Sequence, residues 1–188
     1  MAVDLTNTLI VAISATALFD LTESENHLLQ LLQQRPDEAV KEFRDYMAKR
    51  EDQPLDSGAG YPLIKALLNL NNYCNDCLSA DLTTESPLVE VVIVSKSSPD
   101  TGIQVLNAIR DNGLNISRSA FVFGSPVAPY IKDFNVDLFL TTNREDAQQV
   151  ADANICACAI LDATPVNTYE LDTCLLYTSD AADDLLCV

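Results

Sequence analysis

Positive charge is scarce in this chain of 188 residues, which carries 11 lysines and arginines against 28 aspartates and glutamates. The formal net charge is −17, and a surface of this sign repels nucleic acid and anionic membranes at long range. We therefore expect no nucleic-acid partner. A phosphate ligand would have to be held by backbone N–H groups, hydroxyls and a few lysines.

Long apolar runs are missing as well, since no segment approaches the roughly 20 residues of a membrane span. We therefore expect no membrane partner. The opening residues 1–19 contain an apolar run, but they carry Asp4 and lack the basic residues that begin a signal peptide. A buried first strand over Leu9–Ser14 explains this run better, and we expect a cytoplasmic protein.

Cysteine spacing raises the question of a metal site. Cys74 and Cys77 have C-x-x-C spacing, and together with Cys156 and Cys158 they would supply the four thiolates of a zinc site. However, Cys156 and Cys158 lie two apart on one face of a predicted strand, where free cysteine acts as a small core residue. No turn glycines accompany Cys74 and Cys77. We expect no metal ligands here, and a zinc or redox protein is the weakest alternative.

The strand pattern indicates the fold class. Leu88–Val94 is a nearly continuous apolar, mostly β-branched run, typical of a parallel strand covered on both faces. It ends in the polar turn Ser95–Asp100, and apolar residues then recur at helical spacing. This alternation predicts an α/β, Rossmann-like fold with a parallel five-stranded sheet and helices on both faces. The other predicted strands are Leu9–Ser14, Ala120–Phe123, Val136–Leu140 and Ile155–Leu161.

Three helices are predicted between the first two strands. Thr22–Glu25 has the pattern of a capping box. Pro36 opens the second helix, with Val40, Phe43 and Met47 on one face. A third helix is predicted over Pro62–Leu70, and residues 75–87 have the composition of a surface connection. Later helices are predicted to end at Asn112–Gly113, to contain Lys132 and to run through Val150.

Polar residues follow four of the predicted strands, and the carboxyl ends of parallel strands share one edge of a sheet, where α/β folds bind ligands. Each of these residues alone is explained as a helix cap, but four polar strand ends on one edge favour a pocket for phosphate oxygens. The candidate phosphate- or nucleotide-binding residues are Ser14, Thr16, Ser95, Ser97, Gly124, Ser125, Lys132 and Asn143.

A family resemblance is carried by the segments AISATALFDL, GYPLIKALLNLN, VEVVIVSKSSPDTG, FVFGSPVAPYIKDFNVDLFLTTNREDA and ICACAIL. Over most of residues 8–161 the chain resembles the N-terminal half of the cytosolic 5′-nucleotidase type I family, which belongs to the haloacid dehalogenase-like superfamily. The resemblance implies a haloacid dehalogenase-like fold and hydrolysis of nucleoside 5′-monophosphates to nucleoside and phosphate with Mg²⁺.

The resemblance also implies where the reacting groups should lie. In that superfamily a D-x-D pair ending the first strand supplies the aspartyl nucleophile and the acid/base, and this pair falls on Ser14 and Thr16. The second-strand hydroxyl falls on Ser95, the lysine after the third strand on Lys132, and the magnesium-holding acidic residues on Thr142 and Asn143. A hydroxyl does not replace a carboxylate as phosphoryl acceptor or magnesium ligand.

We therefore expect no catalytic residue in this chain. Asp20 lies beyond the first strand and is better explained by a turn or cap. The D-x-D pair is expected in a second, related half that begins shortly after this chain stops. The expected function is that of a truncated N-terminal half of a 5′-nucleotidase, inactive alone, and the alternative is a non-catalytic nucleotide- or phosphate-binding module.

The predicted domain organisation follows. Residues 1–165 are expected to form a haloacid dehalogenase-like half domain with a helical insertion at about 22–75, and residues 166–188 a non-native or disordered tail. From Cys174 the sequence CLLYTSDAADDLLCV resembles the translated read-through of a sequencing adapter, and an ordinary acidic tail is the alternative. Expected partners are a nucleoside monophosphate, the missing half and further copies in a homo-oligomer, because uncovered apolar surface promotes association.

Overall fold

The computed structural model describes Leu5, residues 7–77 and residues 87–161. In these residues strands and helices alternate along the chain. The elements are β1 (Leu9–Ile13), α1 (Ala15–Leu18), α2 (Thr22–Gln34), α3 (Pro36–Ala48), α4 (Tyr61–Cys77), β2 (Val89–Ser95), α5 (Pro99–Asp111), β3 (Arg118–Phe121), α6 (Ala128–Asp133), β4 (Leu138–Thr141), α7 (Arg144–Asp152) and β5 (Ala157–Ile160).

The strands form one five-stranded sheet in the order β3-β2-β1-β4-β5, and every pair is parallel. β1 lies in the middle, with Val11 opposite Val91 on one side and Leu138 on the other. The chain moves outward through β2 and β3, then returns to the other side of β1 for β4 and β5. The strand order thus reverses between β1 and β4, which is the switch point where open α/β sheets bind ligands. The predicted fold class is confirmed.

Each face of the sheet carries its own hydrophobic core, because successive side chains of a strand point to opposite faces. On one face Ile13 and Ile93 pack with residues of α1, α4 and α5, including Leu18, Ile64 and Val105. On the other face Ile10, Ala12, Val92, Val94 and Phe139 pack with Ile131 of α6 and Val150 of α7. Burial on both faces explains why β1 and β2 lack the polar alternation of a surface strand.

Four helices lie between β1 and β2 where three were predicted, because the short α1 was not predicted, and the other helices differ from prediction in detail. Thr22 is the first residue of α2 and not its cap, so the predicted capping box is wrong. Asp20 lies before the helix instead, and its Oδ1 accepts a hydrogen bond from the Thr22 N–H at 2.9 Å. In α3, Phe43 and Met47 are buried as predicted, but Val40 is 44% exposed and faces solvent.

The fourth helix of this region, α4, corresponds to the third predicted helix; it begins one residue before its predicted start and extends to Cys77. The predicted helix end at Leu70 is therefore wrong, and so is the predicted start of the surface connection at residue 75. No glycine or proline occurs in residues 70–77 to end the helix earlier. Of the connection predicted at residues 75–87, residues 78–86 lie outside the described part of the chain.

The later elements confirm the predicted alternation with shifted ends. β3 begins at Arg118, two residues before its predicted start, and Phe123 lies beyond it with a φ of 42°. β4 and β5 both begin two residues later than predicted. α5 ends before Asn112 and Gly113 as predicted, and Gly113 has a φ of 66°, the left-handed conformation that glycine adopts without strain. These ends depend on pairing between strands, which short apolar runs do not determine.

None of the helices in the described ranges is long and apolar enough to cross a membrane. The predicted domain boundary near residue 165, and the predicted tail beyond it, lie outside the described residues.

Candidate functional site

A polar cleft opens at the carboxyl ends of β1, β2 and β4, at the switch point of the sheet. Its volume is about 240 Å³, well above the roughly 10–15 Å³ that one water molecule requires. It is lined by Ser14, Thr16, Glu25, Ser95, Lys96, Ser97, Thr141, Thr142, Asn143 and Asp146. Five of the predicted candidates, Ser14, Thr16, Ser95, Ser97 and Asn143, are thus brought together.

Three hydroxyls form a chain across the β1 and β4 ends of the cleft. Ser14 Oγ lies 3.2 Å from Thr16 Oγ1, which lies 2.8 Å from Thr142 Oγ1. Ser14 also caps α1, because its Oγ accepts a hydrogen bond from the Ala17 N–H at 3.3 Å. Each hydroxyl can both donate and accept a hydrogen bond, so these three hydroxyls can rotate to donate to the oxygen atoms of a bound anion.

The turn after β2 supplies a second pair of hydroxyls. Ser95 is almost fully buried, and its Oγ lies 3.1 Å from Ser97 Oγ. Ser98 does not line the cleft. Its Oγ caps α5 by accepting a hydrogen bond from the Thr101 N–H at 3.0 Å. In this turn, Ser95 and Ser97 therefore line the cleft, and Ser98 caps the following helix.

The β4 end is organised by capping. Thr141 Oγ1 accepts a hydrogen bond from the Asn143 N–H at 3.0 Å. The Asn143 Oδ1 accepts from the N–H groups of Glu145 and Asp146 at 2.9 and 3.1 Å and so caps α7. Asn143 lines the cleft, but its side-chain oxygen is already engaged by the helix it begins.

The cleft also contains an ion pair that the sequence did not predict. Lys96 Nζ contacts Asp146 Oδ1, and the side chains are 27% and 5% exposed respectively. This Asp146 oxygen accepts no hydrogen bond from any other described group. A signal for Lys96 was present, because it directly follows Ser95 at a strand end. No such signal marked Asp146, which reaches the cleft from the first turn of α7.

A second carboxylate, Glu25 of α2, lies at the rim of the cleft. The residue is exposed to solvent, yet nearby protein atoms desolvate its carboxyl and raise its pKa. Desolvation therefore disfavours the charged form of the Glu25 carboxyl. The Lys96 ammonium contacts Asp146 and not Glu25.

Three predicted candidates do not line the cleft. Gly124 and Ser125 lie in the turn after β3, the outermost strand on that side of the sheet. The Gly124 N–H donates a hydrogen bond to the backbone carbonyl of Lys96 at 3.0 Å, so the turn after β3 supports the turn after β2. Lys132 is exposed in the last turn of α6, away from the lining residues.

Asp20 lies in a separate cavity of about 140 Å³ beside Glu23 and Arg50. Hydrogen bonds from Thr22 lower the pKa of Asp20, as expected for a carboxylate that accepts from the backbone two residues on in a turn. This geometry agrees with the predicted turn or cap role.

Metal-binding side chains are sparse. Within residues 7–77 and 87–161 no group of three or more His, Cys, Asp or Glu residues is placed to hold a metal ion. Cys156 and Cys158 are free, half-buried thiols packed against the core beneath α6 and α7. Burial raises the pKa of Cys156 to about 12, so its thiolate is scarcely populated. The side chains of Cys74 and Cys77 lie outside the described part.

The Mg²⁺ implied by the resemblance does not fit the cleft. Magnesium favours octahedral oxygen sites in which one or two carboxylates balance its charge. Asp146 is already paired with Lys96, and the one other carboxylate among the lining residues is Glu25, which lies at the rim. The remaining side chains at the strand ends are neutral hydroxyls and one amide.

Comparison of the sequence with known proteins identifies its family. The sequence model of the family described as 5′-nucleotidase matches residues 1–180, past Cys174. Human cytosolic 5′-nucleotidase 1B is 22% identical over 163 residues, which cover 87% of this chain and 25% of that protein. The chain thus spans about a quarter of the length of this relative. No solved structure matches it. With a family match across nearly its whole length, the chain belongs to the 5′-nucleotidase family.

Proposed function

We propose that this chain is the phosphate-binding half of a 5′-nucleotidase that, when complete, hydrolyses nucleoside 5′-monophosphates to nucleoside and phosphate with Mg²⁺. Family membership supports nucleotide hydrolysis in general. The cytosolic relative is about four times as long as the matched region, which leaves room for a second half. Its name also supports a cytoplasmic location for this protein.

One observation carries the assignment of roles. Hydroxyls from three neighbouring strand ends converge with one lysine, while Ser14 and Thr16 stand where a nucleophilic carboxylate pair would end β1. Hydroxyl donors and an ammonium suit the oxygens of a phosphate group. Transfer of that phosphate to the protein requires an ionised oxygen nucleophile.

The hydroxyls of the cleft are not activated for such a transfer. In the described residues, the Ser14 hydroxyl pairs with the Thr16 hydroxyl and the Ala17 N–H, and the Thr16 hydroxyl pairs with the hydroxyls of Ser14 and Thr142. A serine or threonine nucleophile needs an adjacent general base to take its proton. Ser14 and Thr16 therefore donate to phosphate oxygens and orient the group, and carboxylates of the second half would hold Mg²⁺ and supply the nucleophile.

A non-catalytic nucleotide- or phosphate-binding module is the second candidate. The same substitution of hydroxyls for carboxylates favours it. The hydroxyls and the Lys96 ammonium that line the cleft can bind phosphate, and binding needs no nucleophile. The two candidates differ in whether a D-x-D pair follows in the complete protein. Sequencing the source DNA beyond the codon for Thr173 tests this directly.

The activity test compares the 188-residue chain with a chain extended to the length of the human relative. Phosphate release from nucleoside 5′-monophosphates is measured with Mg²⁺. We expect release by the extended chain and none by the shorter chain. Release by the shorter chain would show that the hydroxyls suffice for chemistry. Binding without release by both chains would overturn the nucleotidase proposal in favour of the binding module.

A further inference from the structure

We propose that this cleft binds phosphate without a divalent metal, with the Lys96 ammonium in the role that Mg²⁺ would have. The inference rests on the proposed phosphate-binding function and concerns how the negative charge of the ligand is balanced. It follows from the disagreement between the implied Mg²⁺ and the residues that line the cleft.

The first step concerns the buried carboxylate. Asp146 is 5% exposed, and such a group is stable in its charged form only beside a cation or several donors. In the described residues the cation at its Oδ1 is Lys96, and no hydrogen bond supplements this contact. A divalent ion would have to displace the ammonium from this oxygen or share the one carboxylate with it.

The second step concerns the freedom of Lys96. Its side chain is 27% exposed, and a lysine ammonium carries three donors on a flexible stem. It can therefore retain Asp146 with one N–H and direct another toward an anion in the cleft. The turn that carries it is braced by the Gly124 N–H on its backbone carbonyl, so the stem starts from a defined position.

The third step concerns the neutral donors around the lysine. The hydroxyls of Ser14, Thr16 and Thr142 lie within 3.2 Å of their neighbours in one chain, and those of Ser95 and Ser97 form a second pair. Hydroxyls solvate phosphate oxygens without adding negative charge. A phosphate would then face several hydroxyls and one ammonium that it shares with Asp146, with Glu25 at the rim of the cleft, and the hydroxyls would supply most of its hydrogen-bond donors.

The test measures binding of inorganic phosphate to the full 188-residue chain by isothermal titration calorimetry, in EDTA and in excess MgCl₂. We expect the same Kd in both solutions. Four proteins are compared: the natural chain, Asp146→Asn, the double variant Lys96→Met/Asp146→Asn and the control Lys132→Met. The double variant removes both charges together, so it leaves no buried carboxylate without a partner.

We expect the double variant to bind phosphate about 10 to 100 times more weakly than Asp146→Asn, since a hydrogen bond to a charged group is worth this much. Lys132→Met should bind like the natural chain. Equal binding by Asp146→Asn and the double variant would overturn the inference. Binding that requires Mg²⁺ would overturn it and leave the phosphate-binding function intact, whereas no binding in either solution would refute both.

Discussion

The ion pair between Lys96 and Asp146 predicts an asymmetry in stability. Lys96→Met leaves a carboxylate that is 5% exposed without its cation, whereas Asp146→Asn leaves a lysine that is 27% exposed and can turn toward solvent. Removing one partner of a fully buried pair costs about 3–5 kcal/mol. The partial exposure of Lys96 reduces this, and we expect Lys96→Met to lower the free energy of unfolding by about 2–3 kcal/mol.

Asp146→Asn should cost less than about 1 kcal/mol, the range of a partly exposed pair. The double variant Lys96→Met/Asp146→Asn should recover most of the loss caused by Lys96→Met, since it removes the uncompensated charge. For a chain of this size, the losses expected for Lys96→Met correspond to a fall in Tm of about 4–12 °C.

The assay is urea denaturation followed by circular dichroism, with the m-value checked for constancy across the variants. The double-mutant cycle then isolates the coupling between the two side chains. Equal losses for the two single variants, or a double variant whose loss equals their sum, would refute the argument that Lys96 stabilises the buried Asp146 carboxylate.

Two further predictions concern the rim of the cleft and the support of α1. Desolvation raises the folded-state pKa of Glu25 above its ordinary value of 4.5, so its stability contribution is present at acidic pH and lost as pH rises through the folded pKa. Glu25→Gln should therefore raise Tm at neutral pH but not below about pH 4. The control Glu38→Gln should raise Tm at neither pH. A gain in Tm for Glu25→Gln that does not depend on pH would contradict this argument. Gly58→Ala places a Cβ 2.6 Å from the Ala17 carbonyl oxygen and should cost about 1–3 kcal/mol by denaturation. The control Gly113→Asn, in open space at a φ tolerated by asparagine, should cost less, and equal losses would contradict the steric argument.

The fold was largely predictable because burial of a parallel sheet leaves a strong pattern. Val91–Val94, within β2, is apolar on both faces, and the neighbouring strands show the same signal in shorter runs. The ends of those shorter strands were less predictable, because register is set by partners distant in the chain. The start of α2 at Thr22 was also difficult to predict, although it depends on residues close in the sequence. A capping box and a first helical turn that follows a turn at Asp20 contain the same residue types.

The candidate site was predictable where it depends on strand order and unpredictable where it depends on side-chain reach. Ser14, Ser95 and Thr141 meet because adjacent parallel strands end at one edge of the sheet. Lys132 does not join them, since its helix follows the outer strand β3 and the lysine lies at the far end of that helix. Glu25 enters from α2, whose packing against the cleft has no periodic signature.

By itself, the sequence determined the parallel sheet, the polar character of its ligand edge and the absence of a carboxylate pair after the first strand. These properties depend on residue type and short-range spacing, which a linear pattern records. Only the tertiary structure decided which charges meet in the cleft. Lys96 and Asp146 belong to different β–α units, and their contact exists because β2 and β4 flank β1, which brings the turn after one strand against the helix after the other.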